Sequence, residues 1–209
     1  MPRKTFTTPS LGRKAAVRDT FARLLILCEG KNTEPRYFEE FIEEHGSRLL
    51  SVEVFGAQGA PKTMVDEARR RIKEMRSDRK NYSPNDKVWV VFDCDEHPRR
   101  KEALEEARVH GIGVAYSDPC FELWGILHLQ EFDAPLDRHK MQSSFEKVAP
   151  NYDKKKGKEI SYRELKDGYA DACIRSKRLR ERRQQDGGQT PYTDVDLLTE
   201  FIIANSKAP

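Results

Sequence analysis

Val88-Trp89-Val90-Val91-Phe92-Asp93-Cys94-Asp95 is an apolar run that ends in two carboxylates two positions apart. Such an uninterrupted run reads as a strand buried on both faces of a parallel sheet. Side chains at i and i+2 on a strand point the same way, so Asp93 and Asp95 converge on one spot. Further back, Leu24-Leu25-Ile26-Leu27-Cys28 has the same shape and passes straight into Glu29-Gly30. Ligands of an open parallel sheet bind beyond the carboxyl ends of its strands, which places Glu29 near the Asp pair. Like charges that close repel unless they are solvated, hydrogen-bonded or bridged by metal, and three oxygen donors suit Mg²⁺, with Mn²⁺ also possible.

Strands and helices alternate outward from this run. Residues 23–28, 51–55, 87–92 and 111–116 read as strands, and helices are expected from Asn32 or Thr33, over 62–75 and over 98–110. Tyr37, Phe38, Phe41 and Ile42 give the first helix an aromatic face. Short loops between alternating elements imply right-handed crossovers. The expected fold is therefore α/β, a mainly parallel four-stranded sheet flanked by helices over residues 19–130. Residues 1–18 read as a flexible basic arm and 131–209 as a mostly helical extension packing on the core, with helices over 162–183 and 194–204. An apolar helix over 119–129 joins the two.

Lys and Arg number 38 against 35 Asp and Glu in 209 residues, so the net charge is only +3 although 35% of the residues are charged. The bases are clustered. Arg175, Lys177, Arg178, Arg180, Arg182 and Arg183 could neutralise several phosphates in a sequence-independent way, or form a solvated helix face. Tyr152, Tyr162 and Tyr169 could stack on unpaired bases or pack the extension. No apolar stretch reaches the roughly 20 residues of a membrane span. Four cysteines without C-x-x-C pairing argue against zinc and fit a reducing cytoplasm.

Other residues carry two readings each. Glu29-Gly30 is also plain turn chemistry. Glu122 interrupts the apolar helix, where a carboxylate is costly unless it is metal-bound or paired with a buried Arg or Lys. Asp118 could be a further metal ligand or a helix start. Lys31 and Arg36 could hold phosphate; Lys31 could equally be a solvated loop lysine, and Arg36 could pair with Glu34 or Glu39. Glu34 reads as a first-turn acid favoured by the helix dipole. His97 could donate to a leaving group, and His128 reads as a satisfied buried residue.

Three strings bear a resemblance: Leu27-Cys28-Glu29-Gly30-Lys31-Asn32-Thr33-Glu34-Pro35-Arg36-Tyr37-Phe38, Val91-Phe92-Asp93-Cys94-Asp95, and Ser117-Asp118-Pro119-Cys120-Phe121-Glu122-Leu123-Trp124. They resemble the RloB family, as does Thr190-Pro191-Tyr192-Thr193-Asp194-Val195 near the end. Glu-Gly after a first strand and Asp-x-Asp after a third also resemble the Toprim domain of topoisomerases, primases and nucleases. The resemblance implies a Toprim-like (Rossmann-like) fold, a divalent metal and bacterial defence against phage, often beside an ATPase partner. Glu29, Asp93 and Asp95 match its acidic positions. The expected activity is metal-dependent phosphodiester hydrolysis, with Glu29, Asp93, Asp95, Glu122 and Lys31 as catalytic residues and Glu29, Asp93, Asp95, Glu122 and Asp118 as metal ligands. Lys31, Arg36 and the six cations from Arg175 to Arg183 are expected to bind nucleic acid. The rival expectation is a non-hydrolytic nucleic-acid or nucleotide sensor.

Overall fold

The computed structural model describes residues 22–47, 50–57, 59–94, 99–149 and 151–206. Ala22–Cys28 forms β1, Thr33–His45 α1, Leu50–Phe55 β2, Pro61–Ser77 α2, Lys87–Asp93 β3, Arg100–His110 α3 and Gly113–Asp118 β4. Glu122–Leu129 (α4), Arg138–Val148 (α5), Tyr162–Leu165 (α6), Tyr169–Asp186 (α7), Tyr192–Thr193 (β5) and Val195–Ser206 (α8) complete the chain. The sheet order is β2-β1-β3-β4-β5. β1 through β4 run parallel, and β5 pairs antiparallel with β4 at the edge. This is the expected α/β, Rossmann-like architecture with one added short strand.

The apolar runs form strands because both faces of the sheet are covered. Leu24, Ile26, Cys28, Val91 and Ala115 face a cluster built with α1, α4, α7 and α8. Leu25, Leu27, Val88, Val90 and Phe92 face a second cluster with α2 and α3. Residues after 130 supply Met141, Phe145, Tyr152, Tyr162, Leu179, Leu198 and Ile202 to the first cluster. Among the described residues, no helix is long and apolar enough to cross a membrane.

Two departures from the sequence reading have a local structural cause. The fourth strand starts at Gly113, because Gly111 closes α3 in the left-handed region at φ 66°. That shift carries the strand on to Asp118 and pairs Ser117 with Asp93. The expected helix over 162–183 is interrupted by a 3₁₀ turn at Lys166–Gly168. There the backbone passes the end of α4 so closely that a Cβ on Gly168 would lie 1.9 Å from the His128 carbonyl oxygen. Gly168→Ala should therefore force α7 away from α4 and cost about 1–3 kcal/mol, read as a lower urea midpoint.

Candidate functional site

In this strand order, α1 lies on one face of the sheet and α2 and α3 on the other. A crevice opens at the carboxyl ends of β1 and β3, where the connections part. Glu29 follows β1 directly, and Asp93 is the last residue of β3. The backbone N–H of Asp93 donates to Glu29 Oε2 at 3.1 Å, tying the two strand ends together. Asp93 Oδ1 accepts from the N–H of Phe121 at 2.9 Å, and Oδ2 accepts from Arg138 of α5 at 2.6 Å. Glu122, the first residue of α4, is buried and accepts a hydrogen bond from the Tyr152 hydroxyl at 2.5 Å.

Glu34, in the first turn of α1, is buried beside them. Its carboxylate lies against Gly30, where an added Cβ would meet Glu34 Oε2 at 2.3 Å. The glycine of Glu29-Gly30 thus serves close approach as well as turning. Glu29, Glu34, Asp93 and Glu122 line one cavity of about 350 Å³, together with Lys31, Asn32, Arg138, Gln142 and Lys158.

The structure thus brings together Glu29, Asp93, Glu122 and Lys31 of the residues singled out from sequence. Asp118, at the end of β4, is not part of the cavity wall and lies 3.8 Å from Arg100. Asp95 and His97 fall outside the described residues. Arg36 pairs with Glu40 at 3.2 Å and with Glu159, rather than with Glu34 or Glu39. His128 is buried and satisfied by the Tyr37 hydroxyl and the Leu165 carbonyl, and burial lowers its pKa to about 4.

Crowding decides the electrostatics. Burial pushes the Asp93 carboxyl well above the usual range, the nearby Glu34, Glu122 and Glu29 push it further, and Arg138 opposes them. Burial likewise raises Glu34 to about 7, reinforced by Glu122 and Glu29. Carboxylates gathered in low dielectric cannot all ionise unless protons or cations compensate them. Hard oxygen donors of this kind are the chemistry that Mg²⁺ and Mn²⁺ accept. Among the described residues, no three His, Cys, Asp or Glu side chains converge as a metal-holding group. Each carboxylate is instead turned to a protein donor: Asp93 to Phe121 and Arg138, Glu122 to Tyr152, Glu29 to the Asp93 backbone.

The wall residues Glu34 and Arg138, and Tyr152 behind Glu122, are not evident as site residues from sequence. Glu34 reads as a helix-dipole acid, and its place three and four positions before the aromatic Tyr37 and Phe38, on the same helix face, is only a weak hint of burial. Arg138 had no local signal. Tyr152 was read as packing or stacking; it packs on Phe145 and also holds Glu122.

The α7 cations lie elsewhere, and most have protein partners. Arg175 donates to the carbonyls of Leu127 and His128 at the end of α4. Arg178 pairs with Glu131, Arg182 with Asp133, and Arg183 with Asp133 and Asp186. Arg180 forms a bidentate pair with the buried Asp196. Among the described residues, Lys177 is the one cation of these six without such a contact.

Because Glu34 keeps its proton up to about pH 7 when folded but releases it near 4.5 when unfolded, the native state binds more protons between those values. Stability then falls as pH rises through that window and stays lower above it. Glu34→Gln removes this cost, which is on the order of 3 kcal/mol. The variant should melt several degrees above wild type at pH 8 and close to wild type at pH 4.5, measured by calorimetry at both pH values.

Neither the curated proteins nor the solved structures include a match to this chain. The family model described as RloB-like protein matches residues 24–202, a span that runs from β1 through α8 and includes every wall of the cavity. The chain belongs to the RloB-like protein family.

Proposed function

We propose that this protein is a Mg²⁺-dependent phosphodiesterase that cuts nucleic acid in bacterial anti-phage defence, in the cytoplasm and under the control of an ATPase partner. The observation that carries the reading is the gathering of Glu29, Glu34, Asp93 and Glu122 around one cavity at the carboxyl end of the sheet, with Lys31 and Lys158 in the same wall. The defence setting is what the resemblance to the RloB family implies, and four free cysteines agree with a reducing compartment.

Glu29, Asp93 and Asp95 would hold the ion, with Glu122 as a further oxygen donor; Asp118, outside the cavity wall, is not assigned to it. When bound, such an ion polarises a phosphodiester oxygen and lowers the pKa of an attacking water. Lys31 and Lys158 set positive charge against the non-bridging phosphate oxygens, and Arg138 adds charge beside Asp93. Glu122, oriented by the Tyr152 hydroxyl, is the carboxylate positioned to orient water. Glu34, with a pKa of about 7, can take up or release a proton at its carboxyl near neutral pH.

A second reading, a nucleic-acid or nucleotide sensor that signals without cleavage, draws support from the carboxylates that are turned to protein donors. One experiment separates the two. Labelled DNA and tRNA are incubated with the purified protein and Mg²⁺ or Mn²⁺, with and without an ATPase encoded beside it. Wild type should cut at least one of them, with the rate reduced at least a hundredfold by EDTA or by Asp93→Ala. If every nucleic acid is bound and returned intact, the protein is a sensor; if none is cut that Asp93→Ala spares, the nuclease reading is wrong.

A further inference from the structure

We propose that the phosphodiester backbone is gripped at the cavity mouth by the turn Lys154-Lys155-Lys156-Gly157-Lys158 together with Lys31, rather than by the arginines of α7. This rests on the nucleic-acid reading above. A cavity walled by four carboxylates repels a polyanion, so binding needs compensating positive charge at its rim. The turn supplies it in a fixed place. The Thr33 hydroxyl donates to the Lys158 carbonyl at 2.7 Å, and the Asn32 side-chain amide donates to the Gly157 carbonyl at 3.3 Å. These bonds fasten the turn to the start of α1, one step from Glu34.

At the other end of the turn, Asp153 accepts from the backbone N–H groups of Lys155 at 2.8 Å and Lys156 at 3.2 Å. Gly157 at φ 110° and Lys158 at φ 55° reverse the chain between these anchors. As a result Gly157, Lys158 and Lys31 share a wall with Glu29, Asp93 and Glu122.

The charges of the turn are also the available ones. Among the described residues, Lys31, Lys155 and Lys158 form no ion pair, and Lys156 has only an exposed contact with Asp153 at 3.9 Å. An exposed pair of that kind contributes little and exchanges readily for phosphate. Lys154 is engaged by Ser143 and Glu146 and braces the turn against α5. On α7, by contrast, Arg175, Arg178, Arg180, Arg182 and Arg183 all hold carbonyls or carboxylates of this chain. Arg180 is closed off with buried Asp196. Lysines on flexible stems act as point charges, which suits contact with a backbone without regard to sequence.

Binding of short single-stranded DNA and RNA to the full chain, followed by fluorescence anisotropy in EDTA over a range of salt, tests this without requiring cleavage. K155Q/K156Q/K158Q should weaken binding at least tenfold and lower the slope of log K against log salt by about 2. K155Q/K156Q, which leaves the φ-positive position untouched, should lower it by about 1. A charge-matched K73Q/K80Q/K87Q variant, exposed toward the opposite end of the strands, should retain wild-type affinity. Equal melting temperatures establish that the variants are folded. Wild-type affinity in the turn variants, or a loss confined to R178Q/R182Q, would overturn the inference and leave the nuclease reading standing. If wild type binds neither oligonucleotide, both fall together. Comparison of the DNA and RNA arms shows which backbone is preferred.

Discussion

A carboxylate sealed from water must find donors, keep its proton or meet a cation, and Asp93 is held under that constraint at the point where the structure converges. Its backbone N–H reaches Glu29 beyond β1, one of its oxygens takes the N–H of Phe121 at the start of α4, and the other takes Arg138 of α5. Two strands and two helices are therefore registered through one residue. The walls of the cavity follow from these bonds: once Asp93 positions α4, Glu122 falls beside Tyr152, and the turn after Tyr152 comes to rest on α1.

Such a cluster is supported by the rest of the molecule. Keeping one carboxyl near pKa 7 costs on the order of 3 kcal/mol at neutral pH, about what one fully buried Leu or Phe contributes. The apolar faces of the sheet, one against α2 and α3 and the other against α1, α4, α7 and α8, provide many such side chains. Local conflict concentrated at one crevice within an otherwise consistent fold is the pattern of a site selected for something other than stability.

Much of this was legible in the chain. β1 and β3 announced themselves as apolar runs cut off by acids, and the rule that parallel sheets present ligands at their carboxyl ends placed Glu29 and Asp93 together. Glu122 stood out because its neighbours are apolar almost all round. Glu34 was hidden by a sufficient local explanation, since an acid in a first helical turn needs no other. Arg138 and Tyr152 carried no signal because their partners lie 45 and 30 residues away, across elements whose packing no periodicity encodes. The α7 block shows the converse: six cations in one helix advertise charge, yet four of them hold Glu131, Asp133 and Asp196, which come from the segment after α4 and from α8.

Hydropathy period and strand-end chemistry are local properties, so the amino-acid order was enough to specify an α/β sheet, its four parallel strands and the acids at two of their ends. Which charges meet is a matter of distance. Coulombic and desolvation terms depend on separations of a few ångströms and on exclusion of water, and both arise only when segments remote in the chain are packed together. Folding alone could decide that Glu34 joins the acidic wall, that Arg180 is buried with Asp196, and that Lys158, from a short turn between α5 and α6, lines the cavity beside Lys31.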